Sequence, residues 1–146
     1  MRTFLIILLT LVAAGTLLAD GRMVSYLQND NRHELIFVAA CESEKWTLVT
    51  IYDLRKDRID RGLTLPKAEF AELWSALSGS AVSSYIAHPK ASDKAAVPGF
   101  YSFTLTENKA ITQLLVPRDS CPKPILDVVR RMKSYVEKIR SPENRH

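Results

Sequence analysis

Cysteine is nearly missing from this chain. Only Cys41 and Cys121 occur in 146 residues, which excludes a disulfide-dense scaffold. No CxxC or HxxxH spacing accompanies them, so no zinc site is predicted. Glycine is scarce, at five residues, and none sits in a phosphate-cradling loop. The three histidines are His33 in a turn, His88 before a proline and His146 at the terminus. None has a partner at ligand or triad spacing, although His33 or His88 could join Asp30, Asp53 or Asp57 in space. H-E-x-x-H and G-x-S-x-G are both absent. The reading therefore names no cofactor, no metal and no catalytic residue. Asn-x-Ser/Thr is missing too, so there is no N-glycosylation acceptor.

What is present begins at the N-terminus, MRTFLIILLTLVAAGTLLAD. Arg2 is a minimal basic region, Phe4 to Ala14 is apolar, and small residues follow before Asp20. That layout predicts a secretory signal peptide over residues 1–19, cut after Ala19; a cut after Ala14 is the alternative. The other reading is an uncleaved anchor. Phe4 to Ala19 is 16 residues with Thr10, Gly15 and Thr16 inside it, which falls short of a comfortable span. Removing 1–19 leaves 127 residues with a net charge of about +3, one ordinary domain with only a mild basic excess. No further apolar run approaches a membrane span, and the basic density argues against nucleic acid as a partner.

An exported chain meets an oxidising compartment, so Cys41 and Cys121 are predicted to pair. Cys41 ends the apolar run LIFVAAC and Cys121 precedes a helix. A bridge between them would close a loop of roughly 80 residues, for which chain entropy contributes about 4 kcal/mol. The competing readings are a reactive thiol at the mouth of that helix, whose N-terminus lowers a thiol pKa, and two unpaired buried cysteines.

Hydrophobic periodicity predicts the elements. Met23–Gln28, Glu34–Cys41 and Trp46–Leu54 read as strands, with apolar residues on both faces of the second. Arg55–Gly62 (RKDRIDRG) is a charged fourth strand with Ile59 inward, or a loop. Phe70, Leu73, Trp74 and Leu77 follow helical spacing after Pro66, with Gly79 as the stop. Ala81–Ala87 reads as a strand and Lys90–Gly99 as a mobile loop. Phe100–Thr106 and Ile111–Val116 form a hairpin. Pro124–Arg140 is a long helix whose stripe is Ile125, Val128, Val129, Met132, Val136 and Ile139. The fold class implied is α+β: a two-layer sandwich, mostly antiparallel, with two helices on one face. The domain spans 20–141 and 142–146 is a disordered tail.

Three surface features are candidate contacts. Trp46 opens a strand beside a polar turn, the Lys90–Gly99 loop includes Lys90 and Pro98, and the last helix carries Arg130, Arg131 and Lys138 off its apolar stripe. The reading is an exported, periplasmic or extracellular, non-enzymatic module that contacts another protein or an envelope component. One alternative is an anionic surface or polyanion held by the basic helix face. The other is a small hydrolase or thiol enzyme with a site assembled in space.

Overall fold

A computed structural model describes residues 21–30, 34–86 and 99–141. The expected leader (1–19), tail (142–146) and most of the 90–99 loop lie outside these residues. Six strands are formed: β1 (Arg22–Asp30), β2 (Glu34–Glu42), β3 (Thr47–Asp53), β4 (Arg58–Thr64), β5 (Phe100–Glu107) and β6 (Ala110–Pro117). Two α-helices accompany them, α1 (Lys67–Ser78) and α2 (Lys123–Arg140), with a 3-10 helix at Ser80–Tyr85. The strands make one antiparallel sheet in the order β4-β3-β2-β1-β5-β6. The first four form a meander. The chain then crosses the sheet through α1, and β5 adds to the other side of β1. The fold is the α+β sandwich that the element order implies.

Both helices cover the same face. Val24, Tyr26, Ile36, Val38, Val49, Ile51, Phe103 and Leu114 point to them and join Phe70, Leu73 and Leu77 of α1 in one buried core. From α2 come Ile125, Val128, Val129, Met132, Tyr135 and Val136, while Ile139 is only partly buried. Each fully buried large apolar side chain contributes about 1.5–3 kcal/mol over its exposed state. Tyr135, which the apolar stripe leaves out, is fully buried because its hydroxyl donates to Glu69 Oε1 of α1 at 2.5 Å. Arg22 ties the start of β1 to the same helix. Its guanidinium lies 5.5 Å from the Phe70 ring centre and 5.1 Å from that of Trp74, and it bonds Glu42 at 2.7 Å.

Two local expectations are corrected. The strand expected over Ala81–Ala87 is not formed by its described residues: Ser80–Tyr85 is a 3-10 helix, Ile86 makes an isolated bridge to Leu114, and position 87 lies outside the described residues. Ser83 Oγ donates to the Ser80 carbonyl at 2.8 Å, a local bond that serine readily substitutes for strand pairing. Gly79 stops α1 as expected, in an extended conformation (φ −71°, ψ 164°). RKDRIDRG does enter a strand, yet Ile59 points away from the helices and is 51% exposed. The register shifts at Val49/Thr50, opposite Gly62 with φ 143°. This bulge reverses the alternation, so Leu63 takes the core side and Ile59 cannot. The β5–β6 turn behaves as expected, since Asn108 and Lys109 both have positive φ, 48° and 68°, as a two-residue hairpin turn requires.

Candidate functional site

The predicted Cys41–Cys121 bridge is not made; both cysteines are free. Alternation along β2 is the cause. Cys41 pairs in register with Met23 and Leu48, on the face turned away from the helices, and packs against Met23 and Ala39. Cys121 packs against the helix-side core. The sheet itself separates the thiols, and a disulfide needs Cα atoms within about 7 Å. Nor does the helix start activate Cys121. Burial pushes its thiol up, and it pushes Cys41 up to about 11, opposite to the shift a nucleophilic thiol needs.

The basic candidates of α2 are largely engaged with acids. Arg130 bonds Asp127 at 3.2 Å and Arg131 bonds Glu72 at 2.6 Å; Lys138 lies exposed. The two basic stretches do meet. Arg140, at the end of α2, reaches Asp53 Oδ2 at 3.1 Å, and Lys56 of the β3–β4 turn reaches the same oxygen at 3.7 Å. Asp53 is 4% exposed and also accepts the backbone N–H groups of Arg55 and Lys56. Arg58 pairs with Asp60 at 2.8 Å. Where the stretches join, acids are interleaved with the bases.

Trp46 is 41% exposed at the end of the β2–β3 turn. Ser43 fixes that turn: its N–H donates to the Trp46 carbonyl at 2.8 Å and its Oγ accepts the Trp46 N–H at 3.2 Å. Lys90, Pro98, His33 and His88 lie outside the described residues. Among the described residues no group of His, Cys, Asp and Glu side chains is placed to hold a metal. No helix among them is long and apolar enough to cross a membrane. A groove of about 380 Å³ runs between the end of α1, the 3-10 helix and β5–β6, lined by Trp74, Leu77, Val82, Leu105, Leu114 and Glu107. Glu107 is its one titratable group.

The feature that individual residues did not reveal is the second face of the sheet. Register places three rows of side chains there. One runs Ile59, Tyr52, Phe37, Leu27, Ser102, Leu115. The middle row runs Thr50, Ala39, Ser25, Thr104, Gln113, with position 61 of β4 in backbone register beside Thr50, and the third Thr64, Leu48, Cys41, Met23, Thr106, Ile111. Position 61, at the β4 edge, is the sole charged residue in these rows, in a chain that is 25% charged. An antiparallel sheet with one wet face normally alternates apolar-in and polar-out. Here the rows carry no charge apart from position 61, no described element packs on them, and Met23, Ser25, Ala39, Tyr52 and Thr106 within them are buried. Phe37 and Cys41 are half-buried around Met23 and Ala39. Tyr52 donates its hydroxyl to Asp57, a bond that, with burial, raises the phenol's pKa. Thr106 Oγ1 is buried without a hydrogen-bond partner among the described residues. Strand alternation in the sequence was the available signal; it showed apolar residues on both faces of β2 but not that the property extends across six strands.

Comparison with known proteins adds no name to this geometry: no family model, no curated protein and no solved structure matches the chain.

Proposed function

We propose that this chain is an exported, non-enzymatic accessory module, periplasmic or extracellular, that contacts another macromolecule through the neutral second face of its sheet. The observation that supports the reading is the single charged position in three rows of side chains spanning six strands. The buried centre of an interface is depleted in charge, and Met23, Ser25 and Ala39 in the middle of this face are buried. Raised thiol pKa values weigh against the thiol-enzyme alternative. The ion pairs of Arg130 and Arg131 weigh against an anionic surface held by α2. Export is supported by the leader pattern of residues 1–19.

Site-specific photo-crosslinking in cells that export the chain tests the contact surface. A photoreactive residue at position 50, in the centre of the second face, should give a discrete adduct. One at position 133, on the outer side of α2, should not. Adducts at 133 alone would overturn the reading in favour of the helix. Intact mass tests export separately, with loss of residues 1–19 as the expected result.

A further inference from the structure

We propose that residues 1–19 lie along the middle of the second sheet face while they remain attached, so that this face opens to another macromolecule only once they are removed. The cover is argued from burial and composition; its consequence rests on the preceding reading that the face is a contact surface.

Exposure across the face is graded. In the single chain Met23 and Ser25 of β1 are each 1% exposed, Ala39 of β2 is 7% and Thr106 of β5 is 9%. At the flanks Ile59 of β4 is 51% exposed and Ile111 of β6 is 60%. Tyr52 of β3 is buried too, but its hydroxyl is drawn to Asp57 of the β3–β4 turn. Strand neighbours flank a methionine without covering it, so Met23 on a bare face would meet water. No described element lies over it, and the cover therefore comes from residues of this chain outside the described ones. The buried band runs from β2 through β1 to β5, about 10 Å at about 4.8 Å per strand. That is the width of one helix with its side chains, about 10–12 Å.

Composition selects the segment. Outside the described residues are 1–20, 31–33, 87–98 and 142–146. The second and fourth are short and polar. Residues 87–98 carry Lys90, Asp93 and Lys94, which a floor of Met23, Ser25 and Ala39 would leave buried and unpaired. Residues 3–19 carry no charge at all. Connectivity agrees. Gly21 is buried and Arg22 opens β1, the strand at the centre of the band, so the segment leaves the described fold beside Met23. Phe4 to Ala19 wound as a helix would be about 24 Å long, close to the length of a strand. Thr106 Oγ1, in register with Met23, is buried without a partner among the described residues, and a segment with Thr10 and Thr16 can supply one. A cut after Ala19 then takes the cover away and presents an uncharged band along β1.

The experiment compares the full chain with the exported one. Full-length protein is made by cell-free translation without membranes, and intact mass verifies that residues 1–19 are present. A photoreactive residue at position 104, half-exposed and in register beside Ser25, should give an adduct within one chain that tandem mass spectrometry maps to residues 1–19. One at position 133 should not. Leu8→Asp combined with Leu9→Asp should lower the adduct at least about tenfold, because charge is expelled from an apolar contact. Circular dichroism verifies that this variant keeps the fold. Adducts to 31–33, 87–98 or 142–146, no within-chain adduct, or a yield that the aspartates leave unchanged each overturn the proposal. The contact reading fails separately. If the exported chain, lacking 1–19, crosslinks no other polypeptide from position 104 while the full chain gives its adduct with 1–19, the cover stands and the contact reading falls. An exported chain that keeps residues 1–19 and still crosslinks another polypeptide from position 104 overturns the proposal.

Discussion

Cys41 and Cys121 lie on opposite faces of one sheet, the first beside Met23 and Ala39, the second against the helix-side core. The mass of the exported protein should therefore be the same before and after reduction. Both thiols should react slowly with iodoacetamide at neutral pH, since burial raises both pKa values and only the thiolate attacks. A two-hydrogen gain on reduction would contradict the arrangement.

Alkaline pH should destabilise the fold. Burial holds the Cys41 thiol up at about 11 against 9.0, and the Tyr26 phenol up at about 12 against 10.0, the nearby Arg118 partly opposing the latter. The unfolded chain releases these protons first. The stability tied to them is thus complete below about pH 9 and is lost as pH rises through 9 to 11 for Cys41, and 10 to 12 for Tyr26. Thermal midpoints should fall above pH 9, and Cys41→Ala should flatten the fall between 9 and 11. Equal slopes in the two proteins would show that Cys41 does not contribute.

Asp53 holds the C-terminal end of α2 to the β3–β4 turn through Arg140 while accepting two backbone N–H groups. Asp53→Ala removes those charge-assisted bonds and leaves the N–H groups of the turn without their acceptor. A loss of about 2–3 kcal/mol is expected. It should appear as a lower urea midpoint with unchanged slope.

Ile59 and Leu77 are both aliphatic, but they have different environments, at 51% and 1% exposure. Ile59→Thr should change stability by no more than about 0.5 kcal/mol. Leu77→Ala should cost about 2–5 kcal/mol. Similar losses at both sites would place Ile59 inward after all.

Because Arg130 and Arg131 are already paired with acids, retention on heparin should be weak and lost by about 0.15 M salt, where the screening length is near 8 Å. Retention that persists well above that, and that falls on Arg130→Ala, would restore the polyanion reading.

Much of this molecule is legible in its sequence. Helical spacing located α1 and α2, β-branched and aromatic runs located β1, β2 and β3, and the hairpin of β5 and β6 followed from alternation around Glu107–Ala110. These are local properties, set by side-chain period and turn chemistry within a few residues. Three outcomes depended on distant parts of the chain. Which side Ile59 faces was decided by the bulge at Gly62 against β3. Whether α2 presents a basic surface was decided by Glu72 and Asp53, acids from other elements. Whether the cysteines could meet was decided by the parity of Cys41 along β2 and by the choice of sheet face that both helices cover. The same choice left the neutral rows on the opposite side without a described cover. Sequence by itself determines what each residue prefers locally; only the tertiary structure decides which preferences share a face, because strand register and helix placement are set by packing summed over the whole sheet.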